Sequence, residues 1–197
     1  MKKLKKIDAA PLTVVIAGAS GMVGSALTTF LTAIGHRVLP MSRNPCSESA
    51  IKWDPIAGKI EANKLEKADV VINLSGENIG SQKWNKAKRE KLYNSRILST
   101  RLLVNTLNSL KTPPKVFISA SAIGYYGTNA NEPCAEEGAL GSGFLASLCC
   151  DWEAEANSFK RGRCVTARIG VVLSPSGGIL PKMLPFFNCR FGAGIGR

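Results

Sequence analysis

Residues 16–24 read IAGASGMVG. Gly18, Gly21 and Gly24 form a Gly-x-x-Gly-x-x-Gly pattern between an apolar, β-branched run at 13–17 and a stretch of helical spacing that begins at Met22. That context, a strand running through a tight turn into a helix, raises a weak motif to an informative one. Gly18 supplies a turn residue tolerant of unusual backbone angles. Gly21 lacks a Cβ, so a pyrophosphate can approach the backbone. Gly24 lets the helix pack close to the strand. The helix N-terminus adds free N–H groups and a partial positive charge. The pattern therefore reads as a cradle for a dinucleotide phosphate, against the plainer reading of a structural strand-to-helix turn.

The rest of the chain repeats the alternation. The helix over 22–36 places Val23, Ala26, Leu27, Phe30, Leu31 and Ile34 at helical spacing, and Gly35 ends it. Strands follow at 37–43, 51–55 and 68–76, the last an unbroken apolar run of the kind a buried parallel strand needs. A long helix covers 85–110, with Leu92, Ile97, Leu102 and Leu107 among its core positions, and Pro113 and Pro114 close it. Next come a strand at 115–121 and a glycine-rich loop to about 143. A helix at 144–160, with Leu145, Leu148, Cys149, Trp152, Ala156 and Phe159 inward, precedes a strand at 164–173. This order predicts an α/β fold of the Rossmann type: a doubly wound parallel sheet with helices on both faces. Residues 13–197 read as one dinucleotide-binding domain behind a basic tail at 1–12.

Composition narrows the class. The basic start followed by an apolar stretch resembles a signal peptide. However, Asp8 and Pro11 interrupt it, and cleavage there would destroy the glycine motif. Six scattered cysteines and a single histidine, with no C-x-x-C, argue against a zinc site and for a reducing, cytoplasmic setting. The cysteines read mostly as small core residues. No apolar run approaches the roughly 20 residues needed to span a bilayer. The net charge of +12 raises nucleic acid as a partner. Yet the densest basic run, 83–91, lies on the long helix and reads as a solvated face. A small anionic molecule is the better expectation, and a homodimer is allowed.

Three strand ends offer polar or small residues to one crevice. The second strand ends at Ser42 and Arg43, where a fold specific for NAD(H) carries an acidic residue for the ribose 2′-hydroxyl. A guanidinium there clasps a 2′-phosphate instead, so NADP(H) is expected over NAD(H). Leu74, Ser75 and Gly76 follow the next buried strand, and Ser119 and Ser121 end the one after. Ligands of open α/β sheets bind at such carboxyl ends.

A set of motifs occurs in order: GASGMVGSAL (18–27), WDP (53–55), NLSGENI (73–79), Trp84, SRILST (95–100), SASAIGYYG (119–127), WE (152–153) and RIGVVLSPSGG (168–178). Together they resemble the atypical short-chain dehydrogenase/reductases of the nucleoside-diphosphate-sugar epimerase-like kind. The resemblance implies phosphate binding at Gly18, Ser20, Gly21, Met22, Val23 and Gly24. It places the 2′-phosphate at Ser42 and Arg43, and Arg96 facing the cofactor cleft. It puts Gly170 and Val171 near the nicotinamide. Ser121 matches the superfamily's substrate-orienting serine. The superfamily's Tyr-x-x-x-Lys pair is absent, because the corresponding helix opens as GFLASLCCDWE (143–153). Tyr125 and Tyr126 are the remaining candidates for an acid. The resemblance also implies a further half that closes over the substrate, beyond the Gly-rich segment at 192–196. Two functions stay open at this point: an NADP(H)-dependent oxidoreductase or epimerase-like enzyme, and a non-catalytic NADP(H)-binding sensor or regulatory module.

Overall fold

A computed structural model describes residues 10–80, 83–127, 133–175 and 177–191. In chain order the elements are β1 (Thr13–Ala17), α1 (Met22–Ala33), β2 (Arg37–Ser42), β3 (Ile51–Asp54), β4 (Lys59–Ile60), β5 (Val70–Asn73), α2 (Lys86–Ser109), β6 (Val116–Ala122), α3 (Phe144–Asn157), β7 (Arg163–Ile169), β8 (Leu173–Ser174), β9 (Gly177–Gly178) and α4 (Leu180–Asn188). Single 3₁₀ turns occupy Ala62–Leu65 and Ile123–Tyr126.

Seven strands form one sheet in the order β4-β3-β2-β1-β5-β6-β7. Every pairing is parallel except β3 with the short edge strand β4. The chain winds outward from β1 to β3, then returns to β5 on the other side of β1. The reversal of strand order therefore falls between β1 and β5, the place where this class of sheet opens a crevice at its carboxyl edge.

β1 is buried on both faces and alternates between two cores. Val15 and Ala17 pack with Leu103, Val104, Leu107, Ala156 and Phe159 of the α2–α3 layer. Val14 and Ile16 pack against Leu27 and Leu31 of α1. Cover is unequal. Of the apolar positions expected to bury on α1, Ala26 is exposed and Phe30 is 44 % exposed. The helix carries a wider apolar stripe than the sheet beside it covers. Met22, Ala26 and Phe30 line an open trough that Val172 and Ser174 close on the far side.

Two other expectations change. Lys88, inside the basic run, is only 2 % exposed, because its ammonium pairs with Glu77 at 2.6 Å. Cys46, Cys134 and Cys189 are exposed, whereas Cys149 is buried.

One polar knot ties β5 to both long helices. The Thr100 hydroxyl accepts the Asn73 side-chain amide and the Trp152 indole N–H, each at 2.9 Å, with all three residues buried. Thr100→Val keeps the shape but strands both donors. Each stranded donor costs ~1–3 kcal/mol. We expect a clear loss of stability in a urea titration, with an unchanged denaturant slope.

Candidate functional site

The glycine turn sits where three stretches of backbone converge. Gly18 adopts φ +81°, and a Cβ there would lie 2.7 Å from the carbonyl oxygen of Leu74. A Cβ on Gly24 would lie 2.2 Å from the carbonyl oxygen of Gly18. These two glycines let α1, the turn and the end of β5 close on one another. Gly21 differs. It is the N-cap of α1 in extended conformation, with no side chain capping the helix. A Cβ there would meet only the Gly18 oxygen, at 3.3 Å. Its outer side is open, and the helix N-terminus faces that space with Ser20 exposed beside it. The absent Cβ of Gly21 thus leaves room for a ligand rather than for the protein. A pyrophosphate fits this cradle, both in space and in charge.

Around the turn the strand ends supply cations. Arg43, just past β2, is exposed and makes no hydrogen bond to another described residue; Ser42 accepts the amide of Asn44 at 3.2 Å. Arg43 lies near enough to Glu77 that its charge helps hold the Glu77 carboxyl below the ordinary range, behind the larger effect of the Lys88 hydrogen bond. The loops after β2 and β5 therefore share one mouth. Ser75 donates to Asn73, and Leu74 continues the α1-side core. Gly76 lies against Arg96, since a Cβ there would come within 3.2 Å of the guanidinium carbon. The Arg96 guanidinium donates to the carbonyls of Leu92 and Glu77, at 3.1 and 3.2 Å, and lies 5.2 Å from the Trp152 ring centroid. Burial pushes its pKa down. Among described residues its hydrogen-bond partners are carbonyls, so no carboxylate neutralises it by direct contact.

A strap follows β7. Gly170 and Val171 are exposed at the carboxyl end of that strand. The β8–β9 hairpin then rests on Met22: a Cβ on Gly177 would fall 2.9 Å from its sulfur. From α4 the Lys182 ammonium reaches the carbonyl of Gly80, at 3.2 Å. Met22 is thus under the hairpin, while Val23 is half-buried behind it.

The candidate catalytic residues fall in a second cluster, at the ends of β6 and β7. Ser119, expected on the cofactor side rather than among the catalytic residues, is fully buried, with its hydroxyl on the carbonyl of Ala120 instead of facing the crevice. Ser121 is 3 % exposed and donates to Glu153 Oε1 at 2.6 Å. Glu153 also takes a two-point grip from Arg168, Nε to Oε1 at 2.8 Å and Nη2 to Oε2 at 2.9 Å. Arg168 Nη1 donates to the Tyr126 hydroxyl and to the carbonyl of Glu136, each at 2.8 Å. Its guanidinium carbon stands 3.5 Å from the centroid of the Tyr125 ring. Ser121, Tyr125 and Tyr126 are therefore brought together, around a Glu–Arg pair that sequence reasoning missed. A signal existed: Glu153 follows Cys149 by one helical turn, on the face that points at the sheet. A charge on that face demands a partner, and Arg168 stands in register with Ser121 on the adjacent strand.

Burial alone would raise the Glu153 carboxyl, but the hydrogen bonds from Arg168 and Ser121 and the Arg168 charge outweigh it and hold it low. A depressed carboxylate stabilises the fold fully above its unfolded value, ~4.3 for Glu. That stability is lost as pH falls through the lower folded value. Glu153→Ala strands Arg168, and breaking a buried pair costs ~3–5 kcal/mol. We expect the lower end here, because the Arg168 side chain is 20 % exposed. The gap between wild type and variant in urea should be widest near neutrality and shrink in acid.

Three comparisons bear on this geometry. The model of the NAD dependent epimerase/dehydratase family matches residues 14–176. An epimerase family protein of Mycobacterium bovis is 40% identical over 93% of this chain and 61% of its own length. The human epimerase family protein SDR39U1 is 33% identical over 94% of this chain and 63% of its own length. The chain thus spans about three-fifths of the length of the curated relatives it matches. A crystal structure of human SDR39U1, isoform 2, with NADPH superposes at a TM-score of 0.82 and 33% identity, over 94% of this chain and 62% of that one. The nucleoside-diphosphate sugar epimerase of Corynebacterium glutamicum gives a TM-score of 0.81 at 34% identity, over 95% of this chain and 39% of that one. Among the described residues no helix is long and apolar enough to cross a membrane, and no cluster of potential metal ligands occurs.

Proposed function

This chain belongs to the NAD dependent epimerase/dehydratase family, and we propose that it binds NADP(H) as an oxidoreductase or sugar-nucleotide-epimerase-like enzyme acting on a small molecule. The observation that carries the proposal is the pairing of the open Gly21 cradle with Arg43, a cation without a hydrogen-bonding partner among the described residues. Gly18, Ser20, Gly21, Met22, Val23 and Gly24 surround the pyrophosphate. Ser42 and Arg43 take the 2′-phosphate. Leu74, Ser75, Gly76 and Arg96 line the crevice, and Gly170 and Val171 border its nicotinamide end. The NADPH in the human relative's crystal structure supports this choice of cofactor. A bound nicotinamide supplies hydride exchange at a substrate carbon. The chain's own hydroxyls, Ser121, Tyr125 and Tyr126, stand at the adjoining strand ends to bind or protonate the substrate. In this reading residues 13–197 are the dinucleotide-binding domain, and 1–12 a basic tail.

A second reading is a non-catalytic NADP(H)-binding sensor or regulatory module. It is favoured by the helix that opens at Phe144, where Leu148 and Cys149 are buried and no Tyr-x-x-x-Lys is present. Fluorescence titration with NADPH and NADH tests what both readings share. Tight NADPH binding with weaker NADH binding is expected, and no binding of either would remove both.

A further inference from the structure

Five neighbouring strands, in the order β2-β1-β5-β6-β7, start at the sheet edge opposite the crevice. Cations gather there that no run of the sequence joins. Arg37 opens β2 and Arg163 opens β7. Lys67 stands just before β5, Lys111 and Lys115 before β6, and Lys160 and Arg161 before β7. All seven side chains are exposed. Backbone bonds tie each connection to the next. The N–H of Arg37 donates to the carbonyl of Leu12 at 2.9 Å, and that of Asp69 to Thr13 at 2.9 Å. Lys115 donates to Asp69 at 3.1 Å, and Arg163 to Lys115 at 2.9 Å. The cations therefore form one row, about 19 Å long at ~4.8 Å per strand.

Their charge is not spent inside the fold. Nearby carboxylates are held by backbone amides instead. Glu66 accepts from the N–H groups of Lys111 and Thr112 at 3.0 and 2.8 Å, and Asp69 from that of Thr13 at 2.8 Å. Glu48 stands beside Arg37 and Lys67 at the β2 end. None of the seven cations forms an ion pair among the described residues. Helix C-termini attract cations, and two members of the row answer to that. Lys160 donates to the carbonyl of Asn157 at 2.9 Å and Arg161 to that of Asn108 at 3.2 Å, at the ends of α3 and α2. The last turns of α1, α2 and α3 themselves hold no cation. The side chains of Arg37, Lys67, Lys111, Lys115 and Arg163 make no hydrogen bond to a described residue.

A line of exposed, unpaired cations fits a linear polyanion. The row lacks what other anionic partners use. A lipid surface is held by apolar side chains set beside the cations. Among the described residues, Leu12 is the one large apolar side chain exposed on these connections. The exposed Phe186, Phe187 and Phe191 belong to the strap at the crevice edge. Single nucleic-acid strands are gripped by stacking their bases on aromatic rings, and no described aromatic side chain is exposed along the row. A duplex keeps its bases inside and offers its phosphates. We propose that this edge binds the phosphate backbone of a nucleic-acid duplex, without regard to base sequence. The row lies across the sheet from the dinucleotide crevice, so the proposal stands apart from the cofactor reading.

Fluorescence anisotropy tests this, with the full chain titrated into a labelled DNA duplex of mixed sequence at several salt concentrations. The logarithm of the affinity should fall against that of salt with a slope of about −4 to −6, at ~0.9 for each phosphate neutralised. Lys115→Gln with Arg163→Gln should remove about two units of that slope and weaken binding at least about 10-fold at low salt. Arg37→Gln with Lys67→Gln, at the other end of the row, should do the same. Lys86→Gln with Lys91→Gln, in the basic run on α2, should change little, and saturating NADPH should leave the duplex bound. A slope near zero overturns the proposal. Undiminished binding by both row variants overturns it too, because the contact then lies in residues 1–12 or on another surface. An equal loss from the α2 pair reduces the attraction to net charge, and displacement by NADPH moves the duplex into the crevice; either result overturns it. Tighter binding to phosphatidylserine vesicles or to polyglutamate than to the duplex, lost in the same row variants, replaces the duplex with a membrane or an acidic protein.

Discussion

Gly24→Ala lowers the stability of the protein sharply, whereas Gly21→Val leaves the fold intact and abolishes tight dinucleotide binding. The contrast follows from what each new side chain meets. An alanine Cβ at Gly24 is driven to 2.2 Å from the Gly18 oxygen and 2.8 Å from Ala19 Cα, both backbone atoms that cannot swing aside. Overpacking of this kind costs ~1–3 kcal/mol and occasionally more. With backbone on every side we expect ~3 kcal/mol or above, a fall in Tm of about 6–12 °C at ~2–4 °C per kcal/mol for a chain of this size. At Gly21 the only close neighbour is the Gly18 oxygen at 3.3 Å, so the valine methyls project into the open cradle. Tm should move little. Losing two charge-assisted hydrogen bonds to the phosphates, at ~1.5–3 kcal/mol each, weakens NADPH by about 100-fold or more. Differential scanning fluorimetry and NADPH titration on the two variants decide the matter. Equal losses of Tm would mean that Gly21 is as structural as Gly24, and the cradle reading would fall.

Arg43→Asp should invert the cofactor preference. Arg43 is exposed and bonded to no described residue, so its removal costs the fold little. A guanidinium on a 2′-phosphate makes charge-assisted hydrogen bonds of ~1.5–3 kcal/mol, so NADPH should weaken about 10- to 150-fold. NADH loses no such contact, and the new carboxylate can accept from its ribose 2′-hydroxyl. Surface electrostatics are screened by salt. The wild-type preference for NADPH should therefore narrow as ionic strength rises, and the variant should lose that salt dependence. An equal loss for both cofactors would place Arg43 away from the 2′ position.

What the sequence made legible was local. Strand, turn and helix around Gly18, Gly21 and Gly24 are set by residues within a dozen positions of one another, and they fold as read. The parallel strands are equally plain, since β1 and β5 are short apolar runs. What stayed hidden depended on distance in the chain. Glu153 meets Ser121 across 32 residues and Arg168 across 15, and no local pattern joins them. Lys88 looked like one charge among many until its partner Glu77 came from the loop after β5. Helix α4 was obscured by Pro185 inside it. The proline at its start is compatible with a first helical turn. Edge strand β4, two residues long, carries too little pattern to be seen.

The knot of Asn73, Thr100 and Trp152 has an optical consequence. It fixes the indole of Trp152 by its N–H, with the Arg96 guanidinium 5.2 Å from the ring centroid. Trp84 stands near the same mouth, its N–H on the carbonyl of Ile79, while Trp53 lies on β3, far along the sheet from β6 and β7. Reduced nicotinamide absorbs where tryptophan emits, and an anion that draws on Arg96 changes the field across the Trp152 ring. Trp152 and Trp84 are thus the two indoles whose emission a ligand in the crevice would change most directly.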